Sequence, residues 1–234
     1  MRFLKKYIVM ALAATLVCQS LAAQRRIQSM PEHDTKLYYF GIALGVNMSA
    51  YKLSYTQQYA TSDEFSLIQP VNGPGFTMGI IGNLKLSNFI NLRFIPALTF
   101  ANKGIQSIGV LEKNTAVRNV ESIFTSLPLQ LKFKSDRINN FRFYGIVGSK
   151  FDYDLASNAK SRREDEWLKI RPYDMGVELG VGFEFYFPNF ILSPELKISH
   201  GLMDLHERDK LIPMSNQIDQ IKTRCVMLTF MIEG

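Results

Sequence analysis

Residues 171–187 alternate almost throughout between apolar side chains and a mixture of glycine, carboxylate and tyrosine. Because successive side chains of a strand point to opposite faces, this pattern predicts a strand with one wholly apolar face and one mixed face. In a soluble sheet the apolar face packs on a core, whereas in an outer-membrane barrel it contacts lipid. The rest of the chain decides between the two. The apolar face comprises Met175, Val177, Leu179, Val181, Phe183, Phe185 and Phe187.

Seven further segments alternate in the same way, and their lengths favour a membrane. Most of the eight segments are 12 or more residues long, whereas strands of globular sheets usually have about five or six residues. A tilted strand needs about 9–11 residues to cross the apolar layer of a membrane. The predicted strands are 37–49, 75–86, 89–103, 119–134, 141–155, 171–187, 190–203 and 219–232.

The connections between these strands alternate between short and long. Outer-membrane barrels have short periplasmic turns and longer extracellular loops, with both termini in the periplasm. The sequence therefore predicts an all-β fold over residues 37–234, an eight-stranded antiparallel up-and-down transmembrane β-barrel with short periplasmic turns and long extracellular loops. The short links are 87–88, 135–140 and 188–189, and the long ones are 50–74, 104–118, 156–170 and 204–218.

Two prolines, Pro96 and Pro128, lie inside predicted strands three and four. A proline removes one backbone donor from the hydrogen-bond ladder. We therefore expect a β-bulge at each of these positions.

The first 23 residues have the pattern of a secretory signal peptide. A basic start is followed by an apolar run at 8–17 and by small residues that fit cleavage after Ala22 or Ala23. Residues 24–36 then form a periplasmic tail. After residue 23 no stretch holds 18 consecutive apolar residues, yet the chain has 17 Phe and 10 Tyr. An exported chain with this composition is typical of an integral protein of the cell outer membrane.

The charge of the chain does not indicate a nucleic-acid partner. Residues 1–23 contain three basic residues and no acid, so their removal lowers the net charge from +6 to +3. No run of basic residues with interleaved aromatics remains. The expected partners are outer-membrane lipid and other proteins, with no small-molecule substrate.

Charged residues of both signs fall on the inward faces of the strands. Eight strands enclose a space that side chains just fill, and buried charges must pair or accept a large desolvation cost. We therefore expect a structural salt-bridge network, with a narrow conduit or proton path as the alternative. The network is predicted to comprise Arg93, Arg142, Lys150, Asp152, Glu178, Glu184, Glu195 and Lys197, with Lys85 and Lys132 on the same faces.

The sequence contains no pattern that predicts an enzyme. Ser199 and His200 are the one tempting pair for nucleophilic catalysis, but neighbours on a strand face opposite sides and cannot form a dyad. No metal-spaced cluster or phosphate-binding loop stands out, so we expect no catalytic activity, no metal and no cofactor. His200 is interpreted as a polar residue near the lipid headgroups.

The long connections carry candidate partner-contact residues. Trp167, the only tryptophan, follows three acids and suits either the membrane-interface belt or a protein contact. Residues 50–74 are too apolar for a merely solvated loop, so they fold over the barrel mouth or contact a partner. The candidates are Tyr55, Phe65, Arg162, Arg163 and Trp167.

Four segments, in this order, resemble the PorT family of Bacteroidetes outer-membrane proteins, which belongs to the type IX secretion and gliding machinery. They are SLPLQLKFK (126–134), GIVGSKFDYDLAS (145–157), MGVELGVGFEFYF (175–187) and LSPELKISHGL (192–202).

The resemblance implies an integral outer-membrane protein that is needed for export of cargo with a C-terminal signal and has no enzymatic activity. In that family a separate, much larger barrel is the translocon, and this chain would act through contacts with other subunits. The alternatives are a general adhesion or structural barrel and a lipid-modifying outer-membrane enzyme.

Overall fold

The computed structural model describes residues 28–57, 59, 65–109, 115–155, 168–209 and 212–234. The predicted signal peptide, 1–23, lies outside the described residues. Within the described ranges no helix is both long and apolar enough to span a membrane. A 3₁₀ helix, Pro31–Thr35, precedes the strands, and one short helix, α1, spans Pro213–Gln217. The strands are β1 (Tyr38–Tyr55), β2 (Phe65–Lys85), β3 (Ile90–Phe94), β4 (Ala97–Gly109), β5 (Thr115–Lys134), β6 (Phe141–Asp154), β7 (Lys169–Ile170), β8 (Tyr173–Tyr186), β9 (Ile191–Gly201), β10 (His206–Glu207) and β11 (Ile218–Glu233).

The long strands form a closed antiparallel barrel. Each strand pairs with the next along the chain, and β1 closes the ring by pairing with β11 over Gly41–Tyr55. Strands β3 and β4 form one wall position, because both pair with β2 on one side and β5 on the other. The ring therefore has eight walls, which confirms the predicted up-and-down barrel.

The outward face of the barrel is apolar along its middle. In β8 the outward side chains of Leu179 and Val181 are each 60% exposed, whereas the inward carboxylates of Glu178 and Glu184 are 4% and 2% exposed. In a soluble protein this distribution would be reversed, because burial of apolar surface drives folding in water. The apolar outward surface is therefore the surface that contacts lipid.

The strands extend beyond their predicted ends on the extracellular side. β1 continues to Tyr55 and β2 begins at Phe65, so most of the predicted loop 50–74 is strand. In the same way β4 and β5 take up most of the predicted loop 104–118. The prediction was wrong here because a strand outside the membrane has no lipid-facing stripe to mark it, although its backbone can still pair with its neighbours.

Neither proline produces the predicted bulge. Phe94 pairs with Leu129 and Ala97 with Ser126, so the register is unchanged across Pro96. The pairing of β5 with β6 also runs without a shift through Pro128. Each proline carbonyl accepts a bond, from Ile80 N and Ile95 N respectively, and only the reciprocal donor is missing. The register of β2 against β4 shifts instead at two other places, between Phe65 and Leu67 and between Asn72 and Gly75.

An apolar cluster closes the extracellular end of the barrel. The two-stranded ribbon of β7 and β10, together with α1, packs against the ends of the long strands. The side chains of Ile221 and Ile105 are fully buried there. This extracellular cap also accounts for the apolar character of the segment 50–74, since two of its side chains are members. The buried members are Tyr51, Ile68, Ile105, Leu168, Ile170, Leu205, Met214, Ile218 and Ile221.

Candidate functional site

The middle of the barrel interior is crossed by a chain of buried polar side chains. Arg93 Nη2 lies 2.5 Å from Glu195 Oε2, and both side chains are fully buried. The same guanidinium donates to Gln130 Oε1 at 2.8 and 2.9 Å. Gln130 Nε2 in turn donates to Glu178 Oε2 at 2.5 Å. Because β3, β5, β8 and β9 each contribute one side chain, these bonds connect four walls of the barrel across its lumen.

A second group of charges lies nearer the periplasmic end. Lys132 Nζ is 2.6 Å from Glu184 Oε1 and 3.8 Å from Glu233 Oε1. The ammonium also lies 4.2 Å from the centre of the Tyr144 ring, a cation–π contact that gains strength when the ion is desolvated. Glu184 Oε2 accepts from Tyr186 Oη at 2.6 Å. The carboxylate of Glu184 thus holds β5 against β8, two strands that are not neighbours in the sheet.

The upper half of the interior contains a cavity of about 60 Å³, lined by both charged and apolar side chains. A water needs about 10–15 Å³ of such space, so the cavity has room for a few waters. Lys150 pairs with Asp152 on its wall, and Thr223 Oγ1 donates to Asp174 Oδ2 at 2.5 Å. Lys103 Nζ lies 4.0 Å from the centre of the Phe124 ring. The cavity lies between the buried chain of Arg93 and the extracellular cap.

The segment 28–36 enters the periplasmic end of the barrel and is called the periplasmic plug below. The carboxylate of Asp34 lies 3.2 Å from Arg137 Nη1 and 3.1 Å from Arg142 Nη2. The backbone oxygen of the same residue accepts from Lys85 Nζ at 2.5 Å. The guanidinium of Arg137 stacks 3.7 Å from the centre of the Tyr186 ring. The predicted periplasmic tail is therefore ordered against the barrel over these residues.

His33 is the buried centre of the periplasmic plug. Its ring centroid lies 4.4 Å from that of Tyr39 and 6.2 Å from that of Tyr186. Removal from water lowers the pKa of His33 to about 4, against a smaller opposing effect of Glu184. The imidazole is therefore neutral at physiological pH and acts as an aromatic packing group.

The structure places all eight residues of the predicted charge network on inward faces. Arg93 meets Glu195, Arg142 lies 3.7 Å from Glu184, Lys150 pairs with Asp152, and Lys197 lies 3.8 Å from Glu178. These contacts form separate groups at different heights of the barrel. The predicted residues are therefore brought together as pairs and short chains.

Sequence reasoning missed several members of these groups. Glu233 lies one residue beyond the predicted end of the last strand, although it continues the inward phase of Thr229 and Met231. Gln130 is uncharged and so escapes a search for inward charges, and Asp34 belongs to the tail, where no strand period applies. A search for all inward polar residues, with the last strand extended by one position, would have found the first two.

Two of the five candidate partner-contact residues lie within the described part of the chain. Tyr55 and Phe65 lie in β1 and β2, so the prediction of loop residues was wrong for both. Tyr55 Oη donates to Ile68 O at 2.6 Å, and its ring stacks on Tyr59 with centroids 4.7 Å apart. Arg162, Arg163 and Trp167 lie outside the described residues.

Ser199 and His200 lie on opposite faces of β9. Ser199 is 6% exposed inside the barrel, whereas His200 belongs to the outward phase of Leu196 and Ile198. Within the described ranges no group of three or more His, Cys, Asp and Glu side chains could hold a metal ion. The interior groups are acids and bases that neutralise one another, and this arrangement can hold strands together.

The closed antiparallel ring with an apolar outer surface defines an integral β-barrel protein of the outer membrane. Residues 22–207 match the family described as outer membrane protein beta-barrel domain, and the chain belongs to this family. No curated protein matches the chain.

Several solved outer-membrane barrels are similar to the chain in fold, at low sequence identity. OprG from Pseudomonas aeruginosa has 12% identity over 84% of this chain and 95% of that chain, with a TM-score of 0.47. Neisserial surface protein A has 11% identity over 83% and 95%, with a TM-score of 0.45. Ail, the attachment invasion locus protein of Yersinia pestis, has 13% identity over 85% and 100%, with a TM-score of 0.37.

Proposed function

We propose that this outer-membrane barrel is a non-enzymatic component of the type IX protein secretion system. It supports export of cargo with a C-terminal signal through contacts with other subunits. The observation that carries the proposal is the ordered succession of four segments, 126–134, 145–157, 175–187 and 192–202, that resemble the PorT family.

The closed interior supports a role by contact rather than by passage. The chain from Arg93 to Glu178 crosses the lumen at its middle, and the periplasmic plug and the extracellular cap occupy its two ends. The interior cavity of about 60 Å³ between them has room for a few waters only. We infer that the inward charges act as a structural network and that the cargo crosses the membrane elsewhere.

The secretion phenotype of a deletion strain tests the proposal. Without the chain, cargo with the C-terminal signal should accumulate in the periplasm, and the wild-type chain should restore its appearance at the cell surface. Cargo that reaches the surface normally in the deletion strain would overturn the proposal.

The contact residues are tested by complementation of the same strain. A chain with Arg162→Ala, Arg163→Ala and Trp167→Ala should insert in the membrane but restore little secretion, and it should lose subunits that co-purify in mild detergent. Lys36→Gln, an exposed cation at the periplasmic end, is the matched control and should restore secretion. Full secretion by the triple variant would show that these three residues contact no essential subunit.

The extracellular cap favours a second candidate, an adhesion or structural barrel. The cap gives the outer loops a packed apolar base, as a surface that binds an external partner requires. In this case deletion of 156–167 would abolish binding of cells to a surface and leave secretion intact.

A further inference from the structure

Four basic side chains lie together on the outward face of the barrel, near its extracellular end. Lys52 of β1 is the Cα partner of Lys222 of β11, and Arg224 of β11 is the Cα partner of His200 of β9. All four side chains lie on the outward faces of their strands. The same faces carry Met48, Val226 and Ile198, whose side chains are 39–55% exposed. Opposite residues are about 5 Å apart and alternate residues about 7 Å. The four residues therefore form one surface, called the outer basic patch below.

The outer basic patch has no acidic partner within the part of the chain that the structure describes. The cations near the extracellular cap, in contrast, have acidic partners. Lys169 pairs with Asp209, Arg171 with Glu207 and Arg208 with Asp219. None of the four patch residues takes part in an ion pair among the described residues. Like charges placed directly opposite each other destabilise a pair of strands. The opposed Lys52 and Lys222 therefore offer a site for an anion from outside the described residues.

The position of the outer basic patch selects a lipid as the source of that anion. On β11, Arg224 lies two residues before the lipid-facing Val226, and on β9, His200 lies two residues after the lipid-facing Ile198. Leu202, beyond His200 on the same face, is 55% exposed. These basic side chains thus border the lipid-facing apolar surface, and Lys or Arg near an anionic membrane surface binds it.

We propose that the outer basic patch binds the phosphate groups of a phosphorylated glycolipid of the outer leaflet, the lipid A part of lipopolysaccharide. Lys52, Lys222 and Arg224 neutralise the phosphate charge, and the imidazole of His200 donates a hydrogen bond to a phosphate oxygen. The acyl chains lie along the apolar stripe below. The barrel therefore has a fixed lipid attached to one side of its wall, formed by β1, β11 and β9.

Binding is tested with the full mature chain in vesicles of neutral phosphatidylcholine. Diphosphorylated lipid A and the same lipid without phosphates are added separately, and binding is measured by native mass spectrometry and by the thermal midpoint of the folded band on unboiled gels. The wild type should bind the phosphorylated lipid more tightly and show a raised midpoint with it alone. Equal effects of the two lipids, or an equal effect of millimolar inorganic phosphate, would overturn the proposal.

The residues are tested by the K52Q/K222Q/R224Q variant. Each cation near an anionic surface contributes about a factor of five, so the three changes should weaken binding on the order of 100-fold. The midpoint of the triple variant in neutral lipid alone should equal or exceed that of the wild type, because a repulsion is removed. R224Q alone serves if the triple variant fails to insert, and Lys36→Gln should retain wild-type binding. Wild-type affinity in the triple variant or in R224Q would overturn the proposal.

Discussion

The buried acids and bases of the barrel interior stabilise it only as pairs. A buried charge without its partner keeps the full desolvation cost, whereas attraction to a partner offsets much of that cost and an apolar replacement removes it. The alternation of side chains along a strand places Arg93 and Glu195 on the inward face, so their positions could be predicted from the sequence. Which acid meets which base could not, because the contacts of Glu184 with Lys132 and of Asp34 with Arg142 depend on barrel curvature and on the plug.

Replacement of Glu184 should destabilise the barrel strongly. Glu184→Leu leaves Lys132 buried without the acid that lies 2.6 Å from it, so the free energy of unfolding should fall by about 3–5 kcal/mol. The measurement is urea unfolding in lipid vesicles, followed by the mobility of the unboiled band.

Two variants give the control for this prediction. Glu207→Gln removes a half-exposed acid paired with Arg171, and the free energy of unfolding should change little. Combination of Glu184→Leu with Lys132→Met should recover only part of the lost stability, because it removes the unpaired ammonium but also takes a cation from the buried Glu233, 3.8 Å away. An unchanged transition in Glu184→Leu would contradict the structural role of the network.

The periplasmic plug should loosen as the pH falls. The folded state lowers the pKa of His33 from 6.5 to about 4, so below pH 6.5 the undocked segment binds a proton that the docked one excludes. Stability of docking is therefore fully present above pH 6.5 and is lost as the pH falls towards 4. Hydrogen–deuterium exchange of residues 28–36, corrected for intrinsic rates, should increase from pH 7 to pH 5. His33→Phe should exchange equally at both values, and a pH-independent wild type would contradict the prediction.

At the scale of elements, the alternation of apolar and polar residues and the lengths of the connections predicted the strands within the membrane but not their extracellular ends. The lipid-facing stripe exists only where lipid does, so β1 beyond Met48 and β2 before Phe76 have no such marker. The ribbon of β7 and β10 could not be predicted, since each strand has two residues. The regular pairing at Pro96 and Pro128 could not be predicted either. A missing backbone donor does not by itself force a bulge, and the register is the same before and after each proline.

Pro96→Val should join β3 and β4 into one strand. Ile80 N already donates to Pro96 O at 3.0 Å, so a valine amide would face Ile80 O and complete the pair. The free energy of unfolding should change by less than about 1 kcal/mol, because the gain of a bond is offset by the loss of proline rigidity. A slowly exchanging amide at residue 96 in nuclear magnetic resonance would support this geometry. Rapid exchange there would contradict it, and Leu98→Val is the control on the same face.

At the scale of the whole molecule, the barrel has three closures along its length. The periplasmic plug, the chain from Arg93 to Glu178 and the extracellular cap lie in series. Sequence reasoning predicted a filled lumen from the number of strands, but it did not foresee the plug and the cap. Both depend on segments whose packing partners lie far away in the chain, as Asp34 and Arg137 do.

The central claim, that this barrel is a closed scaffold, is tested most directly by single-channel recording. Folded wild-type protein, identified by its shifted unboiled band, is inserted in a planar lipid bilayer, and the current is measured at fixed voltage in molar salt. The three closures predict a current that stays at the level of the protein-free bilayer. Steady, reproducible channel openings that disappear when the protein is boiled would contradict the claim.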